Sequence, residues 1–208
     1  IVAVTGSNGK STTASLLHHI FLKLGYKSQL AGNIGRGVLD IDPPENNELI
    51  VLELSSYQIE VARILSPDLA IFTNFSADHL ERHGGIGGYL AAKRRLFTEG
   101  CPDYSIIGVD ELAGLNLAQQ LSASIGDESI IRVSATKQIR RFDWSIFCDG
   151  SYLVEHRKGK QINSIDLKIF DSFVGLHSYQ NAASAYAACR ALGPVSYTHL
   201  TLPTILRV

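Results

Sequence analysis

The sequence predicts an α/β fold: a mostly parallel sheet flanked by helices, with a smaller antiparallel sheet in the C-terminal third. Three observations predict it. Short apolar runs alternate with helix-period patterns through the first half, as βαβ units do. A glycine-rich turn joins the first apolar run to the first helix. Beyond about residue 130 the texture changes to short strands separated by turn dipeptides.

Residues 1–5 read as a strand whose first four residues are apolar without alternation, as a strand buried on both faces should be. After Gly6-Ser7-Asn8-Gly9, the helix predicted from Lys10 to Leu24 carries Leu17, Ile20, Phe21 and Leu24 at i, i+3, i+4 and i+7, and Gly25 stops it. Residues 49–54 and 69–75 are two further buried strands and 104–109 a fourth, with helices at about 56–65, 89–98 and 116–122. Strands follow at 130–134, 144–148, 152–155 and 162–169, with Asp149-Gly150 and Lys158-Gly159 as hairpin turns. The alanine-rich stretch 181–192 reads as a helix closed by Gly193-Pro194. No repeat and no low-complexity segment interrupts this order.

The 208 residues contain no Met and open inside an apolar run, which reads as the N-terminally truncated piece of a longer protein. Residues 194–208 are Thr- and Leu-rich, lack a helical period and do not continue the preceding pattern. They read as a cloning or sequencing scar, which leaves one domain over 1–193. An apolar share of 45% and a charged share of 19% exclude disorder and coiled coil. Lys+Arg 19 against Asp+Glu 20 offers no basic surface for nucleic acid. Cys101, Cys148 and Cys189 are widely separated, with no Cys-x-x-Cys, which argues for a reducing compartment and against structural zinc. No apolar run reaches the roughly 20 residues of a membrane span. A cytoplasmic protein is expected.

The strongest chemical signal is Thr5-Gly6-Ser7-Asn8-Gly9-Lys10-Ser11-Thr12, between a strand and a helix. Glycines let backbone N–H groups turn toward a phosphate and the helix start adds its positive end. Lys10 neutralises phosphate charge, and a hydroxyl at Ser11 or Thr12 can ligate Mg²⁺. The usual spacing Gly-x-x-x-x-Gly-Lys-Ser/Thr would put a glycine where Val4 stands, so this is a shorter P-loop-type variant. A tight turn that merely caps a helix leaves Lys-Ser-Thr unexplained.

Glu53 ends the apolar run 49–52. A carboxylate on a buried parallel strand is costly unless paired or bound to a cation, and the carboxyl end of such a strand beside a phosphate loop is where a nucleotide metal sits. Two readings stay open: a metal ligand, or a carboxylate held by the hydroxyls of Ser55 or Ser56 at a helix start. His79 follows the strand 69–75 and reads as either a loop residue or a ligand, while His83, ahead of Gly84-Gly85, reads as structural. Nothing local separates Lys93 from Arg94 as a solvated helix charge. Asn33 reads as a turn residue, and Asn181 as a helix-start residue.

Together, Gly6 to Thr12, Gly32-Asn33-Ile34-Gly35, the run Leu52-Glu53-Leu54-Ser55-Ser56-Tyr57-Gln58-Ile59-Glu60, Asp78-His79-Leu80-Glu81-Arg82-His83 and Ala92-Lys93 resemble the Mur ligase family, in order over residues 1–193. The second and third runs resemble most the branch that joins D-glutamate to UDP-N-acetylmuramoyl-L-alanine. The resemblance implies the central ATP-binding domain of a three-domain enzyme of peptidoglycan precursor synthesis, acting as a monomer, with its N- and C-terminal domains missing here. It implies ATP bound at Gly6, Ser7, Asn8, Gly9, Lys10, Ser11 and Thr12, with Asn181 at the adenine. It implies Mg²⁺, two ions, held by Ser11, Glu53 and His79, and contacts of Asn33 and Ser55 to the nucleotide-muramoyl substrate. Lys93 matches a lysine the family carbamylates into a carboxylate-like ligand, so that Lys10, Lys93 and His79 form the catalytic set. Ser178 departs from the family, which usually has Asn after His177. The competing expectations are another Mur-family ligase, a P-loop kinase or NTPase with Glu53 on the metal and Lys93 idle, and a nucleotide-binding module inactive in isolation.

Overall fold

The computed structural model describes residues 1–76, 83–169 and 175–193. Its elements are β1 (Val2–Thr5), α1 (Lys10–Lys23), β2 (Ser28–Gly32), β3 (Leu49–Glu53), α2 (Ser56–Val61), β4 (Leu69–Phe72), α3 (Ile86–Thr98), β5 (Tyr104–Gly108), α4 (Leu112–Ile125), β6 (Ile130–Ser134), β7 (Trp144–Asp149), β8 (Tyr152–Arg157), β9 (Lys160–Asp166) and α5 (Leu176–Leu192). One nine-stranded sheet runs β2-β3-β1-β4-β5-β6-β7-β8-β9. Pairing is parallel from β2 through β7 and antiparallel from β7 through β9.

The mostly parallel sheet with antiparallel strands in the C-terminal third is thus as expected, and those strands continue the main sheet. β6 and β7, which the turn-rich texture grouped with the hairpins, pair in parallel with each other, and β6 with β5, so that the pairing turns antiparallel only between β7 and β8. β2 escaped notice because it is a half-exposed edge strand, Ser-Gln-Leu-Ala-Gly, paired only to β3. α3 starts three residues earlier than its apolar period, through Gly87 and Gly88. A Cβ at Gly88 would come within 1.8 Å of the His83 carbonyl, so glycine serves packing there despite its poor helix propensity. α4 and α5 likewise extend beyond the stretches read as helical, while α2 stops at Val61, well short of residue 65. The tail 194–208 lies outside the described residues.

Two apolar layers clamp the sheet. Leu16, Leu17, Ile20 and Phe21 of α1 and the alanines of α5 cover one face. Ile59 of α2, Leu96 and Phe97 of α3, and Leu117, Ala118 and Leu121 of α4 cover the other. Five alanines of α5 are fully buried. Their small side chains let the helix backbone approach sheet and α1 closely, where a larger residue would overpack by about 1–3 kcal/mol. Among the described residues no helix is long and apolar enough to cross a membrane.

Candidate functional site

β1 lies between β3 and β4, and its crossover leads one way across the sheet while that of β4 leads the other. The gap at their carboxyl ends is the switch point where open α/β sheets bind ligands. The glycine-rich turn occupies it. Gly6 and Gly9 have φ +143° and +76°, and a Cβ would meet Thr73 Oγ1 at 2.0 Å or Asn181 Oδ1 at 2.3 Å. Only glycine satisfies both the dihedral and the space.

The loop is lashed to the end of β4. Ser7 N donates to the Asn74 carbonyl at 3.0 Å, and Asn8 N donates to Asn74 Oδ1 at 2.8 Å. Thr73 Oγ1 donates to the Asn8 carbonyl at 2.7 Å, and Ser7 Oγ accepts from Ser76 N at 2.9 Å while donating to the Ser76 carbonyl. Beyond it, the first turn of α1 offers amides with no intrahelical acceptor, the usual cradle for a phosphate. Ser11 and Thr12 stand exposed in that turn, and Lys10 Nζ donates to the Ser7 carbonyl at 2.9 Å.

Glu53 is paired in register with Val4 and Gly32, one strand from the loop. It is 1% exposed, its Oε1 accepts from Asn33 Nδ2 at a long 3.4 Å, and its Oε2 has no hydrogen-bond partner among the described residues. Burying a carboxylate oxygen without a partner costs several kcal/mol. The Ser55 and Ser56 hydroxyls do not relieve it, which removes the helix-cap reading. Ser55 closes a capping box with Gln58 at the start of α2, and Ser56 Oγ faces His83 Nε2 at 2.9 Å. An anionic oxygen stranded beside a phosphate cradle fits a hard cation such as Mg²⁺.

Lys93 arrives from the opposite layer. It is 1% exposed, its Nζ donates to the Gly6 carbonyl at 2.7 Å and lies 4.5 Å from the centroid of the Tyr89 ring. The local reading of a solvated helix charge is therefore overturned. A signal existed: Tyr89, Ala92, Lys93, Leu96 and Phe97 form one buried stripe of α3 at helical spacing, from which Arg94 points away. His83 is structural as expected, its ring stacked on Tyr57 at 5.0 Å, bonded to Ser56 and paired with Glu60 at 3.1 Å, so that it ties α2 to α3.

Asn33 hangs at the end of β2, its backbone N–H donating to the Glu53 carbonyl at 2.9 Å. Asn181, 7% exposed on α5, accepts from Thr13 Oγ1 at 3.3 Å and backs onto Gly9. Asp78 and His79 lie outside the described residues. The sheet edge thus gathers Lys10, Ser11, Thr12, Asn33, Glu53, Ser55, Lys93 and Asn181. Sequence reasoning missed Thr73, Asn74, Tyr89, Asp110 and Gln180 around the same loop. Asn74 and Asp110 each stand just past a strand of this edge, the position that had drawn attention to Glu53.

The Mur ligase middle domain profile matches residues 4–189. The UDP-N-acetylmuramoylalanine–D-glutamate ligases of Cereibacter sphaeroides and Ruegeria pomeroyi are 59% and 60% identical over 193 residues. These cover 93% of this chain and 42% and 41% of those proteins, so the chain spans about two fifths of the length of the curated relatives it matches. Among solved structures, a UDP-N-acetylmuramoyl-L-alanyl-D-glutamate–2,6-diaminopimelate ligase superposes with TM-score 0.70 at 21% identity, over 99% of this chain and 44% of its own. The Neisseria meningitides ligase for UDP-N-acetylmuramate and L-alanyl-gamma-D-glutamyl-meso-diaminopimelate does so with TM-score 0.64 at 19%, over 92% and 61%. With a glycine-rich turn at the switch point and the family profile matched over residues 4–189, the chain belongs to the Mur ligase middle domain family.

Proposed function

We propose that this chain is the ATP-binding part of a cytoplasmic ligase that joins D-glutamate to UDP-N-acetylmuramoyl-L-alanine, ATP being cleaved to ADP and phosphate. The observation that carries the reading is the stranded Oε2 of Glu53 one strand from the Gly6–Thr12 turn. A phosphate cradle and an unneutralised carboxylate at one sheet edge suit a nucleotide bound with its metal. The high identity to D-glutamate ligases supports the amino acid.

In this reading the muramoyl-alanine carboxylate attacks the γ-phosphorus, the bond to the bridging oxygen of ADP breaks, and an acyl phosphate results. The amine of D-glutamate then attacks the acyl carbon and phosphate leaves, with the amine proton passing to solvent. Phosphoryl transfer asks the protein chiefly for placement and charge. Lys10 supplies a cation at the loop, the amides of the first turn of α1 hold phosphate oxygens, and Asn33 and Ser55 lie on the side of the incoming carboxylate. Asn181 sets the loop at Gly9 and reaches the adenine. Ser11, Glu53 and His79 would hold magnesium, which when bound would supply charge neutralisation at the phosphates. Lys93 is the carbamylated ligand or orienter, and a carbamate there keeps one N–H for the Gly6 carbonyl.

The test is the parent enzyme with UDP-N-acetylmuramoyl-L-alanine, Mg·ATP and a panel of D- and L-amino acids, following phosphate release. Release with D-glutamate, together with an amide product, is the expected result. ATP-dependent phosphorylation of a small hydroxyl acceptor with no amide formed would place the chain among kinases instead.

A further inference from the structure

Behind the phosphate loop runs a line of side-chain amides whose direction is set at its far end. Asn74 grips Asn8 on both sides: it accepts from Asn8 N at 2.8 Å through Oδ1 and donates to the Asn8 carbonyl at 3.1 Å through Nδ2. The same Nδ2 donates to Gln180 Oε1 at 3.1 Å, and Gln180 Nε2 donates to Asp110 Oδ2 at 3.1 Å. Asp110 also accepts from Ala135 N at 3.0 Å, Thr136 N at 3.2 Å, and the hydroxyls of Ser134 and Thr136, both at 2.6 Å. Asn74 and Gln180 are 7% and 5% exposed, so water has little access to substitute.

A primary amide has an acceptor on one arm and donors on the other, whereas a carboxylate accepts on both. Asp110 meets backbone N–H groups through each of its oxygens, and Gln180 must therefore turn its NH₂ to Asp110 and its carbonyl to Asn74. Asn74 must then turn its NH₂ toward Gln180, which leaves Oδ1 for the Asn8 N–H. Reversing Gln180 sets its NH₂ against that of Asn74, and an Asn74 reversed to relieve this sets NH₂ against the Asn8 N–H. Asn181, the next residue of α5, meanwhile backs onto Gly9. The first turns of α5 so hold both halves of the loop.

We propose that Gln180 is a positioning residue for the phosphate loop, transmitting the acceptor-only character of Asp110 through Asn74 to the peptide of Asn8. The proposal rests on the reading of residues 6–12 as the nucleotide-phosphate site. It predicts an unusual pH response in Gln180→Glu. The introduced carboxyl faces Asp110; among the described residues Lys137, on the Asp110 carbonyl at 2.9 Å, Glu111 and the Cys148 thiol are the titratable groups that interact with Asp110. Two carboxylates so close share a proton at low pH. The protonated form donates to Asp110 and accepts from Asn74, as Gln180 does, whereas the doubly ionised form cannot.

The experiment measures amide-exchange protection of Asn8 by NMR, with Mg·ATP titrations, in the 208-residue chain and in Gln180→Leu and Gln180→Glu at pH 5.5 and 8. In Gln180→Leu, Asn8 should lose protection by about tenfold and the Mg·ATP dissociation constant should rise about fivefold, as the loss of one hydrogen bond to loop geometry implies. Amides of Leu17 and Ile20 in α1 should keep their protection, which separates this from unfolding. Gln180→Glu should match wild type at pH 5.5 and Gln180→Leu at pH 8. Unchanged Asn8 protection in Gln180→Leu, unchanged affinity despite lost protection, or a pH-flat Gln180→Glu overturns the proposal. A wild-type chain that protects Asn8 yet ignores Mg·ATP would overturn the phosphate reading while the exchange data still decide the relay.

Discussion

Glu53 and Glu155 are both buried on strands of the same sheet, and their surroundings are opposite. Glu155, 0% exposed on β8, has both oxygens occupied: Trp144 Nε1 donates at 3.1 Å to Oε1, and Tyr186 Oη at 2.6 Å and Arg190 Nε at 2.9 Å donate to Oε2. Glu53, at the loop edge, has one long hydrogen bond and one oxygen with none among the described residues. Glu155 is complete within the chain and locks α5 to the antiparallel end. Glu53 is complete only with something added. A buried carboxylate is thus a brace or a site according to whether the chain itself supplies its counter-charge.

The largest loss of stability is expected at Glu155. Glu155→Ala removes the acceptor that Arg190 Nε, Tyr186 Oη and the Trp144 indole N–H share, and breaking such a buried pair costs about 3–5 kcal/mol. A fall of that size in the unfolding free energy, read from a lower urea midpoint at unchanged slope, is expected. Loss of less than about 1 kcal/mol, the range of an exposed ion pair, would mean that Glu155 is no more a structural fixture than Glu53.

Tyr186→Phe removes one of the three donors and should cost about 1.5–3 kcal/mol, the range for a hydrogen bond to a charged group. Burial, then the Glu155 charge and its hydrogen bond, hold the phenol of Tyr186 above its ordinary value of 10.0. The unfolded chain therefore releases this proton first, and the stability it contributes is complete below about pH 10 and declines as pH rises beyond it. Urea titrations at pH 8 and 10.5 should show the gap between wild type and Tyr186→Phe narrowing at the higher pH. A gap that stays constant would remove the titration from the account.

Gly9→Ala probes the loop side. Its φ of +76° and the 2.3 Å approach to Asn181 Oδ1 both oppose a Cβ, at a combined cost of about 1–3 kcal/mol. Because Asn181 can swing aside, much of the damage should fall on the loop, so Mg·ATP binding should weaken more than the thermal midpoint falls.

The two carboxylates were not equally legible in the sequence. Glu53 stood out because it ended an apolar run beside a glycine-rich turn, yet ligand and cap remained open until Ser55 and Ser56 proved to be engaged elsewhere. Glu155 drew no notice, since its donors Tyr186 and Arg190 lie a whole hairpin and a helix away and no local period announces such a contact. The strands buried on both faces were readable from their unbroken apolar runs, whereas β2, an edge strand with one neighbour, had no such run. Lys93 shows the middle case: the helical period of α3 placed it on the buried stripe, but the Gly6 carbonyl it meets is supplied only by the fold.

The smallest effect on stability should come from Glu53→Gln. Replacing a carboxylate that lacks a partner by a neutral amide of the same shape removes an uncompensated buried charge, so the variant should be as stable as wild type or up to about 1–2 kcal/mol more so without ligand. Mg·ATP should stabilise the wild type by mass action, about 2.7 kcal/mol at one hundred times its dissociation constant. In Glu53→Gln the magnesium-dependent part of that gain should vanish while any binding of metal-free ATP persists. Thermal midpoints of both proteins with ATP, magnesium and the two together separate these terms. If Glu53→Gln instead unfolds as readily as Glu155→Ala, the Glu53 carboxylate is satisfied within the chain after all, and the sheet edge holds two braces rather than a brace and a site.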